Sequence, residues 1–151
     1  MKRFAAYSLC ALLLVLAGCA SHEPAPMDQD TLLKLVTGKK WMLVDAYGRE
    51  PLEDTGIFIL FDEDGKVSGS AGCNNFGGTY SIDGEALVFG PLMSTKKSCG
   101  PSLDEQEYFF LNALSQADRI HVEEGELQLI SDDHHEPMRF AVEGENSSWL
   151  W

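Results

Sequence analysis

Between residues 40 and 142 the chain falls into short apolar runs that alternate with polar positions, punctuated by Asp64-Gly65, Asp83-Gly84 and Glu124-Gly125. Such dipeptides favour hairpin turns, because glycine adopts positive φ without a steric penalty. A period of two sends successive side chains to opposite faces of a strand, so each run has one face to bury. In 40–46, Trp41 and Leu43 share a face; in 66–73, Val67, Ala71 and Cys73 do. Tyr80 with Ile82, and Leu87 with Phe89, repeat the pattern, while Ile57 to Phe61 is continuously apolar and reads as buried on both sides. Later runs carry Ile120 and Val122, then Leu127 and Leu129, then Met138, Phe140 and Val142. Seven or so short antiparallel strands predict a closed or nearly closed barrel, since closure removes sheet edges open to other chains. An open α+β sandwich is the alternative.

One amphipathic helix interrupts the strands. In "SLDEQEYFFLNALSQA" (102–117), Ser102 and Glu105 fit a capping box, and Phe110, Leu114 and Ala117 recur at helical spacing. Asp104, Glu105 and Glu107 sit in the first turns, where negative charge complements the helix dipole. Such a helix would cover a sheet or plug a barrel mouth. A shorter helical turn is expected around 30–36. The expected fold class is mainly β with one amphipathic α-helix.

The N-terminus reads as an address. Lys2 and Arg3 precede an apolar run from Phe4 to Leu16, which suits a secretory leader and falls short of the about 20 residues that span a bilayer. The run ends in Leu16-Ala17-Gly18-Cys19, which resembles a bacterial lipobox. That resemblance implies cleavage before Cys19 and lipidation of Cys19. Several acyl chains on one residue anchor stably, since each buried CH₂ contributes about 0.8 kcal/mol. Ala20, rather than an aspartate, follows the cysteine, which implies delivery to the outer membrane, with the periplasmic face as the commoner orientation. The expected organisation is a leader at 1–18, a lipidated N-terminus and proline-containing tether at 19–29, one domain at 30–143 and a tail at 144–151 with Trp149 and Trp151.

Charge excludes some partners. The 151 residues carry a formal net charge of -13, and cleavage after residue 18 removes Lys2 and Arg3. An acidic surface of this kind argues against nucleic acid and against electrostatic attraction to anionic lipid, and favours neutral or basic partners.

The run Val67 to Cys99, "VSGSAGCNNFGGTYSIDGEALVFGPLMSTKKSC", resembles the META domain family, also called HslJ-like. The matching elements are Gly72-Cys73-Asn74, Gly78-Thr79-Tyr80, Gly90-Pro91, Ser94-Thr95 and Cys99, followed by "EQEYFFLNAL" (105–114). "GKKWMLVDAYG" (38–48) is similar to the family's opening strand, and the likeness extends over residues 32 to 142. Lys97-Ser98 departs from the small apolar residues more usual before the second cysteine. The resemblance implies a compact, lipocalin-like antiparallel barrel with a helix. It also implies an envelope lipoprotein linked to stress and antibiotic tolerance, with no catalytic residues and no cofactor.

The remaining chemistry has competing readings. With Cys10 in the leader and Cys19 lipidated, Cys73 and Cys99 are left in an oxidising compartment and are expected to be bridged. The alternative is a nucleophilic Cys73 activated by a histidine. Asn74 and Asn75 suit left-handed backbone and local bonding, and Gly72, Gly77 and Gly78 suit a bulge or a close crossing of strands. "SDDHHEP" (131–137) reads as a solvated turn, because adjacent His134 and His135 on a strand would face opposite ways; no metal is expected there. Asp62 and Asp64 lack the further ligands of a calcium loop. Inward Phe58, Phe61 and Phe89 would fill a barrel, whereas small residues there would leave room for a ligand. The expected role is non-catalytic binding or support within the envelope through an unidentified component, with a lipocalin-like small-ligand carrier as the alternative.

Overall fold

A computed structural model of the chain describes residues 27–144. The leader at 1–18, Cys19, most of the tether and residues 145–151 lie outside the described residues. The elements run α1 (Gln29–Val36), β1 (Lys40–Ala46), β2 (Phe58–Phe61), β3 (Lys66–Ser70), β4 (Asn75–Asp83), β5 (Ala86–Phe89), β6 (Met93–Ser94), α2 (Pro101–Gln116), β7 (Arg119–Glu123), β8 (Glu126–Ile130) and β9 (Met138–Val142).

The strands neighbour one another in the order β3-β2-β1-β9-β8-β7-β5-β4, and β4 pairs back onto β3. Eight antiparallel strands therefore close into a barrel, and the open sandwich is set aside. The two-residue β6 attaches to β4 beyond β5. Burial alternates along the strands as the sequence pattern requires: Val67, Tyr80, Ile82, Ile120, Val122, Leu127 and Leu129 point inward. The apolar run 57–61 is not buried on both sides. Ile57, Ile59 and Phe61 are buried, whereas Phe58 and Leu60 are half-buried on the outer face, where the Lys40 ammonium lies 4.6 Å from the Phe58 ring centroid. Closing a barrel gives each strand one inside and one outside, so an unbroken apolar run cannot be wholly interior.

A register shift between Leu43 and Asp45 marks a bulge at Val44 in β1. The extra residue brings Asp45 opposite Arg139, on the same face. Asp45 is buried, and its Oδ2 accepts from Arg139 Nε at 2.5 Å while its Oδ1 accepts from Gly48 N at 3.0 Å.

Both mouths are closed by helices, one more than expected. The turn foreseen at 30–36 is an eight-residue helix because Asp28 caps it: its carboxylate accepts from Thr31 N at 3.0 Å, so the helix already begins at Gln29. Leu32 and Val36 are fully buried, and Trp41 Nε1 donates to Val36 O at 2.9 Å. The helix touches β7 and its C-terminal Thr37 bridges to Phe61 on the opposite wall, so α1 spans that mouth. At the other mouth α2 buries Phe110, Ala113 and Leu114. Phe110 reaches across the barrel, its centroid 5.9 Å from Phe76 of β4 and 6.5 Å from Phe140 of β9. The capping box at Ser102 is not formed. The cap lies two residues earlier, at Gly100 without a side-chain bond, and the helix starts at Pro101, whose fixed φ suits the first turn.

The interior is filled by side chains. Trp41, Phe61, Phe110 and Phe140 are the largest of those with almost no exposure, and Phe89 lies inside against Phe61 at 6.2 Å. No helix among the described residues is long and apolar enough to cross a membrane.

Candidate functional site

The mouth closed by α2 gathers the Gly72-Cys73-Asn74 corner, Thr95 and Cys99. Between β3 and β4 the chain turns through Ala71 to Asn74, with Ala71 N donating to Asn74 O at 2.8 Å. Gly72 takes φ 102°, a left-handed value that a side chain would strain. Neither asparagine adopts left-handed backbone; glycine performs that task, and this corrects the expected use of Asn74 and Asn75.

Asn74 instead binds three segments together. It is buried to 2% exposure, and its Nδ2 donates to Lys97 O and to Glu107 Oε1, both at 2.9 Å. Its Oδ1 accepts from Thr95 Oγ1 at 2.7 Å and from Lys97 N at 2.8 Å. Its own N–H donates to Glu107 Oε2 at 2.8 Å. Every hydrogen-bonding position of this buried amide is thus occupied, as a low-dielectric site demands. The departure at Lys97 is tolerated because Asn74 reads the backbone of that residue, leaving its side chain exposed.

A disulfide joins Cys73 to Cys99, with Cα atoms 5.9 Å apart. The bridge takes up the sulfur of Cys73 and overturns its alternative as a free nucleophile. Beside it, Ser98 Oγ donates to Asp104 Oδ2 at 2.6 Å and Cys99 N donates to Asp104 Oδ1 at 2.8 Å. Asp104 and Glu107 entered the sequence reading only as partners of the helix dipole. The hold of Asp104 on Ser98 and Cys99, and of Glu107 on Asn74, rests on contacts that helical periodicity does not display.

The other motif positions shape the crossing of β5 and β6 over β4. A Cβ on Gly78 would lie 2.8 Å from Leu92 Cδ2 and 3.0 Å from Pro91 O, so glycine permits the close approach. Gly90 N donates to Thr79 O at 2.9 Å. Tyr80 OH donates to Asp62 O at 2.6 Å, and its ring meets Phe61 edge-on at 4.9 Å. Burial raises the pKa of the Tyr80 phenol, and the nearby Asp62 and Glu63 charges act in the same sense. Ser94 lies in β6, where its side chain forms no hydrogen bond within the described residues.

Hydrogen bonds from the Ser98 hydroxyl, and secondarily from Cys99 N–H, hold the Asp104 carboxyl below its ordinary pKa. A depressed carboxylate stabilises the fold above its unfolded-state pKa, and that contribution disappears as pH falls through the folded value. Asp104→Asn is therefore expected to melt earlier than the native chain at neutral pH, with the difference closing in acid. Thermal melts from neutral pH down to about pH 2 would check this.

Two grooves flank α2. One, of about 250 Å³, lies against the β1–β2 loop and is lined by residues including Arg49, Leu52, Ile57, Gln106 and Phe109. The other, of about 450 Å³, lies between β6 and α2. In the 131–137 turn, His134 stacks on Tyr47 with centroids 3.6 Å apart. Among the described residues no three His, Cys, Asp or Glu side chains converge as a metal site would require.

Comparison with solved structures finds the same fold. A protein from Burkholderia xenovorans, solved by NMR, superposes with TM-score 0.62 at 23% identity, covering 95% of this chain and 99% of that one. A DUF4847 family protein from Bacteroides vulgatus gives TM-score 0.56 at 21% identity, covering 72% and 95%. A further NMR structure gives 0.59 at 20% identity, covering 72% and 92%. No curated protein matches the sequence. The META domain family model matches residues 34–144, a span that holds the barrel, the Asn74 corner and the disulfide; the chain belongs to the META domain family.

Proposed function

We propose that this chain is a non-catalytic binding module of the cell envelope, lipid-anchored through Cys19 at the outer membrane and facing the periplasm. The observation that carries the binding role is the use of the motif's polar groups: Asn74, Thr95, Glu107 and the two sulfurs bind one another. Binding then falls to the outer surface around α2, because the barrel interior is filled by Trp41, Phe61, Phe110 and Phe140. That filling also argues against a lipocalin-like carrier. The leader and lipobox motif support the anchor, and family resemblance supports a part in envelope integrity and in stress or antibiotic tolerance. The acidic surface is consistent with a neutral or basic envelope protein as partner, not nucleic acid.

Growth with a clickable palmitate analogue tests the anchor. The native chain should take up label and fractionate with the outer membrane, and Cys19→Ala should lose both. Undiminished labelling of Cys19→Ala would refute anchoring at this residue.

A further inference from the structure

The barrel seam next to α2 leaves strand edge unused. β4 is nine residues long, and its edge facing away from β3 is shared: β5 pairs with Tyr80–Asp83 and β6 with Phe76 and Gly77. On the far side, β7 meets β5 at only one residue pair, Ala86 with Arg119. Two backbone bonds secure that contact, Leu87 N to Asp118 O at 2.8 Å and Ile120 N to Glu85 O at 2.9 Å. Beyond it, the edge of β5 continues without a strand partner, and β6 lines the groove against α2.

Antiparallel alternation decides which groups point into this space. Gly90 N donates to Thr79 O, so Phe89, one residue earlier, turns its N–H and C=O away from β4. Thr95 N donates to Asn75 O, so Ser94 likewise turns its backbone outward. Among the described residues no hydrogen bond reaches these backbone groups of Phe89 and Ser94. Pro91 and the short β6 limit the edge, as protected edges generally are limited. Apolar surface lies alongside it: Met93 and Tyr108 are each 76% exposed and Val88 is 62% exposed. Leu92 and Leu111 line the groove floor.

We propose that this edge receives an extended segment of a partner protein by strand addition, with apolar residues set into the groove and lysine or arginine between them; the idea rests on the binding role above. Charge selects the occupant. A second copy would bring -13 against -13, whereas a basic segment is attracted both by the whole chain and by Asp104 and Glu107, which outnumber Lys97 in the groove. Strand addition supplies main-chain bonds, and pockets for alternate side chains supply selectivity.

The probe is a capped seven-residue peptide of alternating valine and lysine, titrated into the full chain purified from cells and followed by NMR amide exchange. Exchange of the Phe89 and Ser94 amides is expected to slow about tenfold or more. A version N-methylated along one edge should not bind, and Ser94→Pro, which removes the outward N–H, should lose the effect while Ser94→Ala keeps it. Absence of binding, protection elsewhere on the barrel, or equal binding of the N-methylated peptide would overturn strand addition at this edge. A photo-crosslinking residue at Met93, compared in cells with one at Glu124 on the far mouth, separates this idea from the broader one. Crosslinks to a partner from Glu124 alone would overturn the groove and the placement of binding around α2 while leaving the binding role itself standing; crosslinks from neither would remove both.

Discussion

Asn74→Ala is expected to lower the stability of the domain by about 2–4 kcal/mol, the cost of breaking a buried network in which each orphaned group forfeits roughly 1–3 kcal/mol. Four side-chain hydrogen bonds vanish together, and they hold the β3–β4 corner to the 95–97 segment and to α2. The loss should exceed that from Thr95→Val, which removes only one of the four. Asn74→Asp should be at least as damaging at neutral pH, because it replaces the donor facing Glu107 Oε1 by a second carboxylate oxygen. It should recover in part as acid protonates one of the pair. Urea unfolding of the full chain would measure all three; an Asn74→Ala variant as stable as the native chain would show that the network is incidental.

Reducing the disulfide, or replacing both cysteines as Cys73→Ser with Cys99→Ser, is the second large effect. A bridge across a sequence separation of 26 contributes about 3.5 kcal/mol on the chain-entropy model. In a domain of this size that corresponds to a melting temperature lower by roughly 10 °C. The serine variant should still fold, since Asn74 ties the same corner to the same segment through Lys97. Because the two devices restrain one loop, their losses should not add: either alone still holds the segment, and only removal of both frees it. A double-mutant cycle between Asn74→Ala and the serine pair would give this coupling directly. Strict additivity, or a melting temperature indifferent to reductant, would refute the shared restraint.

What was legible in the sequence follows from the range over which each interaction acts. The β-strands of the barrel wall follow from a period of two and from glycine turns, both local in the chain. Phe110 and Leu114 of α2 could be read in the same way as its buried stripe. Local rules gave less at the helix ends. α1 is only half visible because its cap, Asp28, lies in a segment that reads as tether, and α2 starts before the expected cap because Pro101 takes the first turn from Ser102. β6 escaped notice because two residues carry no periodicity; it exists because Gly78 lets Pro91 and Leu92 cross β4 closely.

The candidate site divides along the same line. Cys73, Asn74 and Cys99 could be singled out from the chain alone, since their types and spacing mark a corner and a bridge, whereas Thr95 stands out only through the family resemblance. Glu107 could not, because it lies 33 residues from Asn74 and looks like any acidic residue near a helix start. Nor could the inward filling by Trp41, Phe61 and Phe140, which turns a potential ligand cavity into a solid core, or the open edge at Phe89 and Ser94. The sequence by itself determined the strands, one helix, the family signature and the acidic surface, because propensity, periodicity and charge are properties of neighbours along the chain. Closure of the barrel, the partners of Asn74 and the seam beside α2 were decided only in three dimensions, where residues far apart in the chain compete for the same hydrogen bonds and the same interior volume.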